Sequence, residues 1–422
     1  MNFRERLLDD MASIRTVDCH SHTSLKSAYY KAGPRNLFNL ISYFARDVDS
    51  VRSSFGPPPF PSPKTEDEQW QNLKAVLGRA RNVSYWRHHL VLYRDLFGFR
   101  DAELNDKNWQ ALNETIKQKS AAPGWYDHVT RDWCRLETQV RNIPWFEDWE
   151  PEYFTAILRL EPALQLCTAA TRESLEKHLE RSFKDLASLK QGLADLIEEY
   201  RKRGSRGIKL AHAYSRTLAS EPVPEPTAAQ VFDRALSGQA PTPAELKQFQ
   251  DHLIFYFAGL AGDLKLVFQI HTGVQGNWGN IPDSDPLRLI PLLNKHRSTR
   301  FDLFHAGYPY SREIGMLGKH FPNVWLNMCW MYLITMEGSR QTLSEWIDLV
   351  PGARILGFGS DVHWPEMIYG HLLMARSCLA DVLAEKVRRD FLSEEAALSL
   401  TRQMLRDNGM ELYRLGGAGL LG

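Results

Sequence analysis

From about residue 124 onward, short apolar runs with strand character alternate with longer stretches of helical periodicity. This alternation is the signature of parallel βαβ construction, in which a helix carries the chain back between neighbouring strands. Candidate strands are 137–141, 155–160, 206–210, 266–271, 300–305, 323–328 and 354–361, with an eighth ahead of them at 16–22 after an amphipathic leader helix. Helical stretches at 182–203, 243–260, 286–296, 310–320 and 339–349 separate the later strands. Eight such strands predict an α/β fold, a (β/α)8 TIM barrel. Residues 24–123 interrupt the pattern with helical, aromatic sequence broken by Gly56-Pro57-Pro58-Pro59-Phe60-Pro61-Ser62-Pro63, which can be neither helix interior nor central strand. The expected organisation is a barrel built from 1–23 and 124–422, with a large helical insertion, a lid subdomain, over 24–123 after the first strand.

The strands end in unusual residues. Parallel strands covered on both faces read as nearly continuous apolar runs, yet His22, His271, His305 and Asp361 stand at the ends of four of them. In a barrel the C-terminal strand ends form one face, so side chains far apart in sequence can converge there. Alternation along the first strand puts Asp18, His20 and His22 on one face. Read as a strand through Asp361, the last one places Ile355, Gly357, Gly359 and Asp361 on one side and Leu356 and Phe358 on the other. His20-x-His22 is weak by itself in a chain with 14 histidines, but further metal-binding side chains at later strand ends make a chance set improbable.

Imidazole nitrogen and carboxylate oxygen suit zinc, manganese or iron(II), and three or four protein ligands leave a position open. A bound cation brings the pKa of water toward neutrality and polarises a carbonyl, and Asp361 and His305 are the candidate base and acid beside it.

Composition narrows the partners. With 51 basic and 51 acidic residues the chain has no overall field to recruit nucleic acid or an anionic membrane. A small-molecule substrate is expected, and assembly into a homo-oligomer is left open. Five scattered cysteines without a CxxC pair argue for a reducing compartment and against a thiolate zinc site. A charged N-terminus and the lack of a long apolar run make a soluble cytoplasmic protein the expectation.

Taken in order, Asp18-Cys19-His20-Ser21-His22, Lys209, His271, His305 and Ser360-Asp361 resemble the amidohydrolase superfamily. Phe304-His305-Ala306-Gly307-Tyr308-Pro309 and Gly357-Phe358-Gly359-Ser360-Asp361 look like its amidohydrolase-2 branch. The resemblance implies that His20, His22, His271 and Asp361 bind the metal, zinc before manganese or iron and one ion rather than two. It gives His305 a catalytic or ligand role and makes Lys209 a candidate catalytic residue, placed where some branches carry a bridging carboxylated lysine. The helical block and His271-Thr272-Gly273-Val274-Gln275-Gly276-Asn277 also resemble uronate isomerases. Asn327 departs from the pattern, since related proteins often place an aspartate there.

Candidate substrate contacts are Arg141, Trp145, Arg159, Gln275, Trp278 and Arg312, the arginines suiting a carboxylate through bidentate pairing. His363 and Glu366 also fall near the expected mouth, and the adjacent His88 and His89 read as a solvated lid surface. The first functional expectation is a metal-dependent hydrolase that activates water to cleave an amide, lactone or related C–N or C–O bond of a carboxylate-bearing substrate. The alternative is lyase or isomerase chemistry at the same cage, decarboxylation or uronate isomerisation. A non-catalytic scaffold would show missing ligands, and here the expected positions are filled.

Overall fold

The computed structural model describes residues 2–276 and 280–416. Eight strands form one sheet, ordered as in the chain. They are β1 (Thr16–Ser21), β2 (Leu136–Ile143), β3 (Phe154–Arg159), β4 (Gly207–Leu210), β5 (Val267–Ile270), β6 (Arg300–Leu303), β7 (Val324–Asn327) and β8 (Ile355–Leu356). The ladders from β2 through β8 are all parallel, and helices intervene between successive strands after β3. This is the (β/α)8 barrel class. Every residue of β4, β5, β7 and β8 is buried, as strands covered on both faces require.

The chain divides into two compact units: Met1–Glu137, Cys329–Ser344 and Phe358–Leu405 in the first, and Thr138–Met328, Glu345–Gly357 and Arg406–Gly422 in the second. The first unit contains β1 and the helical segment after it. Its helices include Glu66–Ala80, started by a capping box in which Thr65 accepts from the Glu68 backbone N–H, and Ser84–Phe97, closed by Gly98 at φ 75°. Its central element is the long helix Pro365–Arg388, which packs on Ser84–Phe97 and on the leader helix Phe3–Ser13. Among the described residues this helix alone is long and apolar enough to cross a membrane. With 78% of its apolar window buried, it has the character of a core helix.

The reading of His88 and His89 as solvated surface is corrected: both are fully buried. His88 Nε2 donates to the Met367 carbonyl at 2.8 Å, and His89 lies among Phe44, Trp86 and Tyr93. Burial pushes His88 down to about 4 and His89 well below the ordinary histidine range. As neutral imidazoles both are compatible with an apolar core.

The second unit contains β3–β8 and all but the first two residues of β2. Its strands carry a buried polar layer. Lys209, Gln269 and Asp302 are register partners across β4, β5 and β6. Asp302 Oδ2 accepts from Asn327 Nδ2 (3.1 Å), Gln269 Nε2 (3.4 Å) and the Tyr413 hydroxyl. Gln269 Oε1 in turn accepts from Asn142 at 2.9 Å. Burial raises the Asp302 carboxyl to about 7 against these donors. Asn327 thus has a structural role: it supplies a donor where an aspartate would add a second buried charge.

Candidate metal centre

In the first unit, His20 lies near the end of β1 and His22 just beyond it. The last strand is shorter than expected. β8 stops at Leu356, so the inside–outside alternation expected through Asp361 does not apply. The reason is local packing. A Cβ on Gly359 would lie 2.5 Å from the Cys329 Cβ, and the Gly359 carbonyl accepts from Trp330 N–H at 3.0 Å. The chain leaves the extended conformation and brings Asp361 to φ 51°.

That turn directs the carboxylate to the histidines. Asp361 Oδ1 lies 3.2 Å from His20 Nε2 and 3.3 Å from His22 Nε2. One donor atom from each of the three residues falls within 4.8 Å of the others. The His20 side chain is 2% exposed and that of His22 28%. Backbone contacts fix the arrangement: Asp361 N–H donates to the His20 carbonyl at 2.9 Å, and the Tyr43 hydroxyl donates to the Asp361 carbonyl. Behind them Asp18 is fully buried, and burial raises its carboxyl to about 7 although hydrogen bonds from Ser360 oppose the shift. Two imidazoles and a carboxylate gathered at one point, with one imidazole open to solvent, fit a zinc-type cation.

In the second unit, His271 and His305 follow β5 and β6. His271 Nε2 meets the Val274 carbonyl at 3.0 Å. A carbonyl only accepts, so Nε2 carries the proton and Nδ1 holds the lone pair. His305 Nε2 donates to that Nδ1 at 3.0 Å. Lys209 is 2% exposed, with Nζ 3.2 Å from the Phe304 ring centroid. It belongs to the buried layer of Asp302.

Trp145 and Arg159 line a cavity of about 360 Å³ with Glu161, Gln165, His212 and Ser215. Arg159 Nε donates to Glu161 at 3.1 Å. His212 is 2% exposed and burial holds it down to about 3. Its ring nitrogens and the Trp145 Nε1 have no hydrogen-bond partner among the described residues. Arg141 is paired with Glu147 at 2.7 Å. Gln275 is buried, and its amide likewise has no partner among the described residues. Arg312 is 82% exposed and bound to Glu345 at 3.1 Å, a surface ion pair that the structure does not bring to these groups. Trp278 lies outside the described residues. Glu366 is a core residue of the first unit, accepting from Tyr29 at 2.5 Å and Trp125 at 2.9 Å.

The family described as "Amidohydrolase" matches residues 188–415, more than half of the 422. The chain belongs to the amidohydrolase family.

Two curated relatives extend this result. Protein fluG of Emericella nidulans is 30% identical over 149 residues, covering 35% of this amidohydrolase and 17% of that protein. The uronate isomerase of Nostoc punctiforme is 25% identical over 309 residues, 67% of this chain and 64% of that one. The chain thus spans less than two thirds of either relative's length. Among solved structures, the uronate isomerase from Thermotoga maritima superposes with a TM-score of 0.81 over 97% of both chains at 16% identity. At that identity the likeness shows the fold.

Of the residues singled out in this amidohydrolase's sequence, His20, His22 and Asp361 meet in one cage, and His271 and His305 meet each other. His212 and Tyr43 were not foreseen. His212 lies two residues beyond β4, as His305 does beyond β6, and His271 lies one residue beyond β5, so the same strand-end signal applies to it. Tyr43 acts through its position in the helical segment, which no strand-end pattern reveals.

Proposed function

We propose that this amidohydrolase is a metal-dependent isomerase interconverting the aldose and ketose forms of a sugar acid of the uronate class. The observation carrying this reading is that the uronate isomerase of Nostoc punctiforme aligns along 67% of the chain, beside a cage of His20, His22 and Asp361. Sequence reasoning put hydrolysis first; the relatives favour its alternative.

A divalent cation, zinc before manganese or iron, would be held by His20, His22 and Asp361 and would polarise the substrate carbonyl. Isomerisation moves one proton between adjacent carbons and one between their oxygens, with no water consumed. In this reading Asp361 is the candidate base for the carbon proton and His305 the candidate acid for the oxygen. Arg159 and the Trp145 indole N–H receive the carboxylate, with Arg141 and Gln275 as further contacts. Lys209, buried over Phe304 in the layer of Asp302, is a further candidate catalytic residue.

The test is incubation of zinc- or manganese-loaded protein with D-glucuronate and other uronates, followed by NMR. The expected result is an equilibrium of aldose and ketose, lost in Asp361→Asn. Hydrolysis, the second reading, is favoured by the family's own description. It takes over if no uronate turns over while a carboxylate-bearing amide or lactone is cleaved.

A further inference from the structure

Ser360, the residue before Asp361, has every polar group engaged. Its N–H donates to Asp18 Oδ1 at 2.7 Å and its hydroxyl to Asp18 Oδ2 at 2.6 Å. Its carbonyl pairs with His371 Nδ1 at 2.9 Å. Asp18 and His371 are both fully buried. A carbonyl only accepts, so His371 carries its proton on Nδ1. His371 sits on the rigid helix Pro365–Arg388, and its ring is wedged between Phe358 and Tyr332 at centroid distances of 5.2 and 5.7 Å. The imidazole therefore has little freedom to move away from the carbonyl it holds.

The peptide so held is the one whose rotation sets the direction of the Asp361 side chain. Asp361 occupies the left-handed region at φ 51°, which a non-glycine residue keeps only when its surroundings over-determine it. The Asp361 N–H to the His20 carbonyl fixes one end of that residue, and the Ser360 carbonyl belongs to the same peptide plane as that N–H. Anchoring both ends of the plane leaves the peptide no low-cost rotation. Without the imidazole, the plane can tip about its remaining anchor and carry the carboxylate out of line with the two histidines.

We infer that His371 is a positioning residue for the cation site: its Nδ1–H on the Ser360 carbonyl keeps the Asp361 carboxylate aimed at His20 and His22. The inference rests on the proposal that this cage binds a divalent cation. Hydrogen-bonding partners just outside a metal's ligands typically contribute 10–100-fold to its affinity, so the effect is measurable.

The test uses zinc-loaded full-length protein and the rate of zinc transfer to a chromogenic chelator, with metal content by elemental analysis. His371→Asn presents a side-chain amide N–H close to the position of Nδ1; His371→Gln places it one bond too far, and His371→Leu removes it. Zinc loss from the Leu and Gln variants is expected to be faster by about tenfold or more, while the Asn variant stays within about threefold of wild type. If Leu fails to fold, the contrast between Asn and Gln carries the test. Equal zinc retention in Asn, Gln and Leu, or equal loss in Asn and Gln, overturns the inference while leaving the cation site standing. Wild-type protein that takes up no stoichiometric zinc, manganese or iron overturns both.

Discussion

Asp361 keeps a backbone conformation that costs a non-glycine residue on the order of 1–3 kcal/mol, and nothing in the run Ile355-Leu356-Gly357-Phe358-Gly359-Ser360-Asp361 announces it. The residue types of the cage were legible, because imidazole and carboxylate at strand ends contradict the apolar pattern around them. The turn that aims the carboxylate was not, because it depends on the approach of Cys329 to Gly359, a contact between residues thirty positions apart. Gly359→Ala puts a methyl 2.5 Å from the Cys329 Cβ, an overpacking expected to cost about 1–3 kcal/mol. Urea denaturation should show that loss, together with weakened metal binding; a fully stable variant with native metal content contradicts this account of the turn. Elemental analysis of His20→Ala and Asp361→Ala should show strong depletion beside near-stoichiometric wild type. Equal metal in all three defeats the cage.

At the scale of elements, the later strands were readable because short runs such as Val267-Phe268-Gln269-Ile270 and Val324-Trp325-Leu326 are set off by helical periodicity, whereas β2 (Leu136–Ile143) is largely polar. Amphipathic pattern failed on the helix Ser84–Phe97. It treats histidine as polar, whereas His88 and His89 are buried as neutral rings. Neutral burial has a consequence for pH dependence. A histidine whose folded pKa lies below its unfolded value binds fewer protons folded than unfolded, so stability rises with pH between the two. For His88, held down to about 4, that contribution is complete above the unfolded value of about 6.5 and is lost as pH falls toward 4. His89 acts in the same direction, with neither ring nitrogen partnered among the described residues. Replacing such a group by an apolar one of similar size is close to neutral or stabilising. Metal-free His89→Leu should therefore match or exceed metal-free wild type near pH 7, and lose less stability by pH 5. Urea unfolding at both pH values measures this; parallel losses in the two proteins exclude the neutral-burial account of His89.

For the molecule as a whole, the cage matters because it joins the beginning of the chain to its later part. His20 and His22 follow the leader helix, and Asp361 arrives after all eight strands. A cation held at that point binds only the folded chain, since the unfolded chain does not keep these donors together. By mass action such a ligand adds RT ln(1 + [L]/Kd), about 2.7 kcal/mol when free metal stands a hundredfold above its dissociation constant. Closing a loop this long by a metal clip stabilises through the entropy of the unfolded chain as well as through the bonds. Chelator treatment should therefore lower the midpoint of urea unfolding reversibly, and restored zinc should recover it as a logarithmic function of concentration. In Asp361→Ala the midpoint should lie near that of metal-free wild type and barely respond to zinc. A zinc-dependent shift in the variant as large as in wild type would mean that the stabilising ion sits elsewhere in the molecule, and the link between β1 and the Asp361 turn would then be one of packing alone.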